Sequence, residues 1–154
     1  MQRKEFTKKA APRDASKLKV GIVVADFNPD ITGSLFDGAL KALKEWGVRE
    51  RNINIFRVYG SFDLTYGCDL MLRKHKPDAV VALGCIIKGE TNHDHYIASA
   101  LSHGLTGLAI KYGKPVSFGV ITVNNLAQAR ARSSRKTNHG EKAAIAALQA
   151  ALLK

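Results

Sequence analysis

The stretch Ala79-Val-Val-Ala-Leu-Gly-Cys-Ile-Ile87 decides the fold. It is apolar without alternation and rich in β-branched side chains, which reads as a strand buried on both faces. Such a strand needs helices above and below it, and the rest of the chain supplies them. Upstream, Leu18–Ala25 is a second apolar strand, and Asn52–Val58 alternates as a third. Downstream, Pro115–Val123 is a fourth. Between them, Leu35, Phe36, Ala39, Leu40, Leu43 and Trp46 recur at helical spacing until Gly47 stops the pattern. Residues 62–74 read as a second helix, and a long helical pattern runs from about Asn92 to Lys111. Two further helices are expected at 125–134 and 139–152, the last Ala/Leu-rich and strongly helical. Asp30 is the expected cap of the first helix, and Thr91 that of the long one. The order β-α-β-α-β-α-β-α-α predicts an α/β fold, with a four-stranded parallel sheet flanked by helices on both faces.

The chain of 154 residues carries 24 Lys and Arg against 13 Asp and Glu, a net charge of +11. That excess predicts an anionic partner, whether nucleic acid, a membrane surface or a phosphorylated substrate. Residues 1–19 hold seven of the cations and two of the acids, and residues 130–136 hold four cations and no acid. Residues 1–17 read as a flexible basic arm, and 18–154 as one domain. No run approaches the ~18 apolar residues of a membrane span. The polar N-terminus has no apolar segment of the kind a secretory signal needs. Cys68 and Cys85 are too few for a disulfide framework and fit a reducing, cytoplasmic setting.

Open sheets of this kind bind ligands beyond the carboxyl ends of their strands. Four loops therefore matter. After Ala25 stands Phe27, an aromatic suited either to stacking on a planar ring or to core packing. After Val58 come Gly60, Ser61, Phe62 and Asp63, polar groups for a ligand edge or for a helix start. After Ile87 comes Lys88-Gly-Glu-Thr-Asn-His-Asp-His95, where a helix N-terminus offers free N–H groups to a phosphate. His93 in its first turn is placed for proton transfer. The same loop admits other readings: Glu90, His93 and Asp94 as metal ligands, Cys85 with His93 as a nucleophile–base pair, or plain solvated residues of a helix start. After Val123, Arg130, Arg132, Arg135 and Lys136 form a basic cluster able to grip phosphate or simply to face solvent.

In order, these residues resemble the lumazine synthase family of riboflavin biosynthesis. The matching pieces are Ala25-Asp-Phe-Asn28, Gly60-Ser-Phe-Asp-Leu64, Ala82-Leu-Gly-Cys-Ile-Ile-Lys-Gly-Glu-Thr91 with His93, Phe118-Gly-Val-Ile-Thr122, Gln128-Ala129 with Arg132, and Asn138-His-Gly-Glu141. They span residue 18 to the end, leaving only the arm uncovered. The resemblance implies a flavodoxin-like sandwich assembled as a homopentamer, often as twelve pentamers in an icosahedral capsid. It implies condensation of 5-amino-6-(D-ribitylamino)uracil with 3,4-dihydroxy-2-butanone 4-phosphate to 6,7-dimethyl-8-ribityllumazine, phosphate and water. It implies no cofactor, no metal and no membrane. A shell subunit with weak or no catalysis is the alternative that the same residues allow.

By the same resemblance, Phe27 stacks on the pyrimidine, and Ser61, Phe62 and Asp63 meet the ribityl chain and ring. Cys85, Ile86 and Ile87 offer backbone hydrogen bonds to the ring, and Glu90 and Thr91 line the phosphate seat. His93 is the catalytic proton-transfer residue, while Phe118 and Arg132 come from a neighbouring subunit to cover the ring and hold the phosphate. The arm is where any non-specific nucleic-acid contact is expected. The chain departs from the family pattern where Tyr59 and Thr65 stand in place of usual prolines and Asp63 in place of a usual Glu. The short run Ser133–His139 between the last two helices permits capsid closure.

Overall fold

The computed structural model describes residues 9–153. Four strands, β1 (Val20–Ala25), β2 (Ile53–Val58), β3 (Ala79–Ile87) and β4 (Val116–Val123), alternate with α1 (Pro29–Glu45), α2 (Leu64–His75) and α3 (His93–Tyr112). The chain ends in α4 (Leu126–Ser133) and α5 (His139–Ala151). The sheet is parallel throughout, in the order β2-β1-β3-β4. This is the predicted α/β, flavodoxin-like arrangement, with elements displaced by one or two residues from their expected ends.

Strand β3 is buried along eight of its nine positions, as its unbroken apolar run requires. Its residues alternate between two cores. Val81, Leu83 and Cys85 join β1, α1, α4 and α5 around Trp46 on one face, whereas Val80, Ala82 and Ile86 join α2 and α3 around Met71 and Leu105 on the other. Edge strands β2 and β4 are less covered, and Ile55 and Phe118 stay exposed.

Three local expectations are corrected. Asp30 does not cap α1; Asn28 does so by position, in the left-handed region at φ 62°, with Pro29 following as the first helical residue. Asn is among the few residues that tolerate this conformation, and Pro is preorganised for a first turn. Thr91 is not the cap of α3; Asn92 is, and it makes no side-chain cap hydrogen bond. The helix expected from residue 62 begins as one 3-10 turn, Ser61–Asp63, before α2 proper.

Of the arm expected over 1–17, residues 1–8 lie outside the described residues, as does Lys154. Residues 9–17 are docked on the body rather than projecting from it. Ala15 is buried, its N–H bonds the Trp46 carbonyl at 2.8 Å, and Lys9 pairs with Glu45 at 2.9 Å and with Glu141. Among the described residues, no helix is long and apolar enough to cross a membrane.

Candidate active site

The strand order reverses between β1 and β3, each of which sends its chain to opposite sides of the sheet, and a crevice opens beyond their carboxyl ends. A groove of about 570 Å³ lies there, built from the loops after β1, β2 and β3 and the first turns of α3. Of the residues predicted from sequence, Phe27, Ser61, Phe62, Asp63, Cys85, Ile86, Ile87, Thr91 and His93 all line it. The fold thus joins segments that lie some sixty positions apart in the chain.

Each wall has a physical cause. The β1–β2 ladder continues past the strands, since Asp26 and Phe27 donate to the Val58 and Tyr59 carbonyls at 2.8 and 2.9 Å. Phe27 is thereby held at the rim, 58% exposed, where packing alone would not leave so large an apolar side chain. Asn28 turns its amide toward the Cys85 carbonyl at 3.4 Å, which explains why that side chain does not cap α1. Below them, the Ser61 hydroxyl is buried yet has no hydrogen-bond partner among the described residues. Gly84 allows it there, because a Cβ at that position would stand 2.7 Å from the Ser61 oxygen. A buried hydroxyl without a partner in a groove wall is stabilised when a polar ligand supplies one. Asp63 spends one carboxylate oxygen locally, accepting the Gly60 N–H at 3.0 Å and closing the turn.

The third wall is electrostatic. Asn92 leaves the first turn of α3 without a side-chain cap, so the positive end of the helix is suited to an anion. His93 is the first residue of that helix, exposed in the groove, and Ile97 lies one turn further along the same face. Glu90 belongs to the same loop but is exposed and does not line the groove. Burial pushes the Cys85 thiol up to about 11, so at neutral pH it is a thiol that packs and does not attack. Glu90, His93 and Asp94 do not gather as a ligand set: among the described residues, no three His, Cys, Asp or Glu side chains group as a metal site.

Two predicted residues stand elsewhere. Phe118, 43% exposed on edge strand β4, and Arg132 on α4 do not line this groove. Arg132 donates to the Gln128 carbonyl at 3.2 Å and leaves most of its guanidinium donors uncommitted. Asn28, Tyr59 and Ile97 line the groove without having been assigned a role from sequence. Ile97 had a signal, lying four residues from His93; Tyr59 had one in its place directly after β2, but only the β1–β2 pairing sets it beside Phe27.

The family model described as 6,7-dimethyl-8-ribityllumazine synthase matches residues 17–154. The 6,7-dimethyl-8-ribityllumazine synthase of Parabacteroides distasonis is 39% identical over 137 residues, 88% of this chain and 86% of its own length. That of Cytophaga hutchinsonii is 44% identical over 130 residues, 84% of this chain and 82% of its own length. That of Christiangramia forsetii is 41% identical over 152 residues, 97% of this chain and 90% of its own length.

Proposed function

The chain belongs to the 6,7-dimethyl-8-ribityllumazine synthase family, and on that premise we propose how its groove carries out the condensation. The reaction joins 5-amino-6-(D-ribitylamino)uracil to 3,4-dihydroxy-2-butanone 4-phosphate and yields 6,7-dimethyl-8-ribityllumazine, phosphate and two molecules of water. It is a transferase reaction of riboflavin biosynthesis. The observation that carries the assignment of roles is the meeting of an aromatic rim, an unpartnered buried hydroxyl and an uncapped helix start in one groove.

Phe27 stacks on the pyrimidine, and Cys85, Ile86 and Ile87 read its edge through their backbone groups. Ser61, Phe62 and Asp63 meet the ring and the ribityl chain, the Ser61 hydroxyl gaining there the partner it otherwise lacks. The primary amine attacks the ketone and water leaves to give an imine. Phosphate is then eliminated, the enol left behind tautomerises to a new ketone, and attack of the ribityl-bearing nitrogen on that ketone closes the ring with loss of a second water. Each step moves a proton, and His93 at the head of α3 is the group that carries it. The departing phosphate sits on the α3 N-terminus beside Thr91, with Glu90 at the edge of the seat. Holding the two reactants together contributes up to ~7–11 kcal/mol in well-oriented systems, so much of the acceleration needs no further group.

The site is completed by a neighbour. Phe118 and Arg132 lie outside this chain's own groove, and a homopentamer brings them from the adjacent subunit to the ring and the phosphate. Exposed Phe118 and Ile110, the latter 82% exposed, supply apolar surface for that contact. The short α4–α5 connection leaves room for pentamers to close into a 60-subunit shell. Because the groove residues are present and gathered, the shell subunit without catalysis is not favoured.

The test is product formation by purified protein given both substrates, followed by absorbance or fluorescence. Appearance of the lumazine is expected. Correctly folded protein that makes none would overturn the reading. Light scattering and negative-stain microscopy distinguish monomer, pentamer and closed shell.

A further inference from the structure

Three aromatic side chains line the groove, Phe27, Tyr59 and Phe62, and the mechanism above leaves only Tyr59 unused. Tyr59 is 79% exposed, and its ring centroid lies 6.2 Å from that of Phe27 with the planes inclined by 56°. The pairing is fixed by backbone, because Phe27 donates to the Tyr59 carbonyl at 2.9 Å and Ala25 stands opposite Val58 one step earlier. At this separation and tilt the two rings are in an inclined aromatic contact, not a parallel stack. Inclined to one another, they form the two sides of an aromatic wedge along the groove that both residues line.

A flat, polar heterocycle fits such a wedge, one face on Phe27 and one edge against Tyr59, in the edge-to-face geometry aromatic rings prefer. Thr65, the other residue in place of a usual proline, does something different. It packs against Gly104 of α3, where an added Cβ would meet the Thr65 side chain at 2.6 Å, and it does not line the groove. Of the two replaced prolines, only Tyr59 is in a position to meet a ligand.

We propose that Tyr59 is a specificity-determining residue, forming with Phe27 an aromatic wedge that grips the pyrimidine ring of the substrate and the ring system of the product. The inference rests on the function proposed above and adds to it a residue that acts on the heterocycle and not on the phosphorylated partner. The phenol also brings a hydroxyl that donates and accepts hydrogen bonds at the rim.

The test uses the full-length protein and two substitutions, Tyr59→Ala and Tyr59→Phe. Side-chain exposure makes both compatible with folding, and the bond from Phe27 to the residue 59 carbonyl survives either one. Fluorescence titration with 6,7-dimethyl-8-ribityllumazine should show weaker binding to Tyr59→Ala by roughly 2- to 10-fold, the range a single aromatic contact provides. KM for the ribitylaminouracil should rise by a similar factor, KM for the butanone phosphate should not follow it, and Tyr59→Phe should restore most of the loss. Lumazine affinity and pyrimidine KM unmoved by Tyr59→Ala in a protein that turns over would overturn the wedge and leave the function standing. Equal rises in both KM values would overturn it too, since a loosened fold would do that. If the unsubstituted protein neither turns over nor binds the lumazine, the functional reading fails first and the wedge with it.

Discussion

Two helices of this molecule begin with the same pair of residues, and the fold treats them in opposite ways. Asn92-His93 opens α3, and Asn138-His139 opens α5. Asn138 is buried, accepts the Glu141 N–H at 3.0 Å and donates to the carbonyls of Ser34 and Ser133 at 2.8 and 3.0 Å. Three elements are joined there, and the approach is so close that a Cβ on Gly38 would strike the Asn138 amide and one on Gly140 would strike the Leu35 carbonyl. Asn92 makes no side-chain cap bond, only its carbonyl accepting from the His95 and Tyr96 N–H groups, and the turn it heads is largely exposed. A helix start that is satisfied internally is structural; one left open has donors to give to a ligand. The contrast separates a helix start that anchors the fold from one that opens onto the candidate groove.

The largest effect that would test this contrast is on stability. Asn138→Ala leaves two buried carbonyls and one helix N–H without partners and should cost about 2–4 kcal/mol, read from denaturant unfolding. A loss under about 1 kcal/mol would mean that the junction is not the fold's anchor. Next comes rate. His93→Ala should lower kcat about 10²-fold, at the modest end for one proton-transfer group, with the melting temperature unmoved. An unchanged kcat would remove His93 from the mechanism.

A pH effect distinguishes the two histidines further. Burial, and then the nearby Lys142 and Arg132 charges, hold the His139 pKa below its ordinary value. The unfolded chain therefore binds this proton more readily than the native one, so the contribution is present above about pH 6.5 and is lost as pH falls below it. His139→Gln should flatten that part of the stability–pH curve; a curve of unchanged slope would show that His139 does not set it. The smallest effect is the sharpest control. Asn92→Ala should change stability by less than about 0.5 kcal/mol, since no side-chain cap is lost.

Why the two Asn-His pairs were not distinguishable in the sequence is instructive. Both look like helix starts, and both are. What differs is whether another segment lies within hydrogen-bond reach, and for Asn138 that segment is Ser34, 104 positions earlier. The expected caps Asp30 and Thr91 failed for a related reason. Cap residues are chosen by local propensity, but Asn28 was diverted by Cys85 across the sheet and Asn92 took the position beside Thr91. The described part of the arm, read as flexible from its charge, is held by Glu45 and Glu141, acids that local composition does not reveal.

By itself, the sequence determined the class of the fold and most of the groove. Period and apolarity along β1 and β3, punctuation at Gly47, and the order of strands and helices are local properties, and they need only the alternation of buried and exposed faces to be read. The loops at the carboxyl ends of the strands follow from topology, so Phe27, Ser61 and His93 were within reach of the sequence. Only the tertiary structure decided which polar groups are left without partners and which aromatics share a rim. Those outcomes depend on distances between segments far apart in the chain. The same distances make the Ser61 hydroxyl an orphan, bring Tyr59 beside Phe27, and leave Arg132 away from the groove.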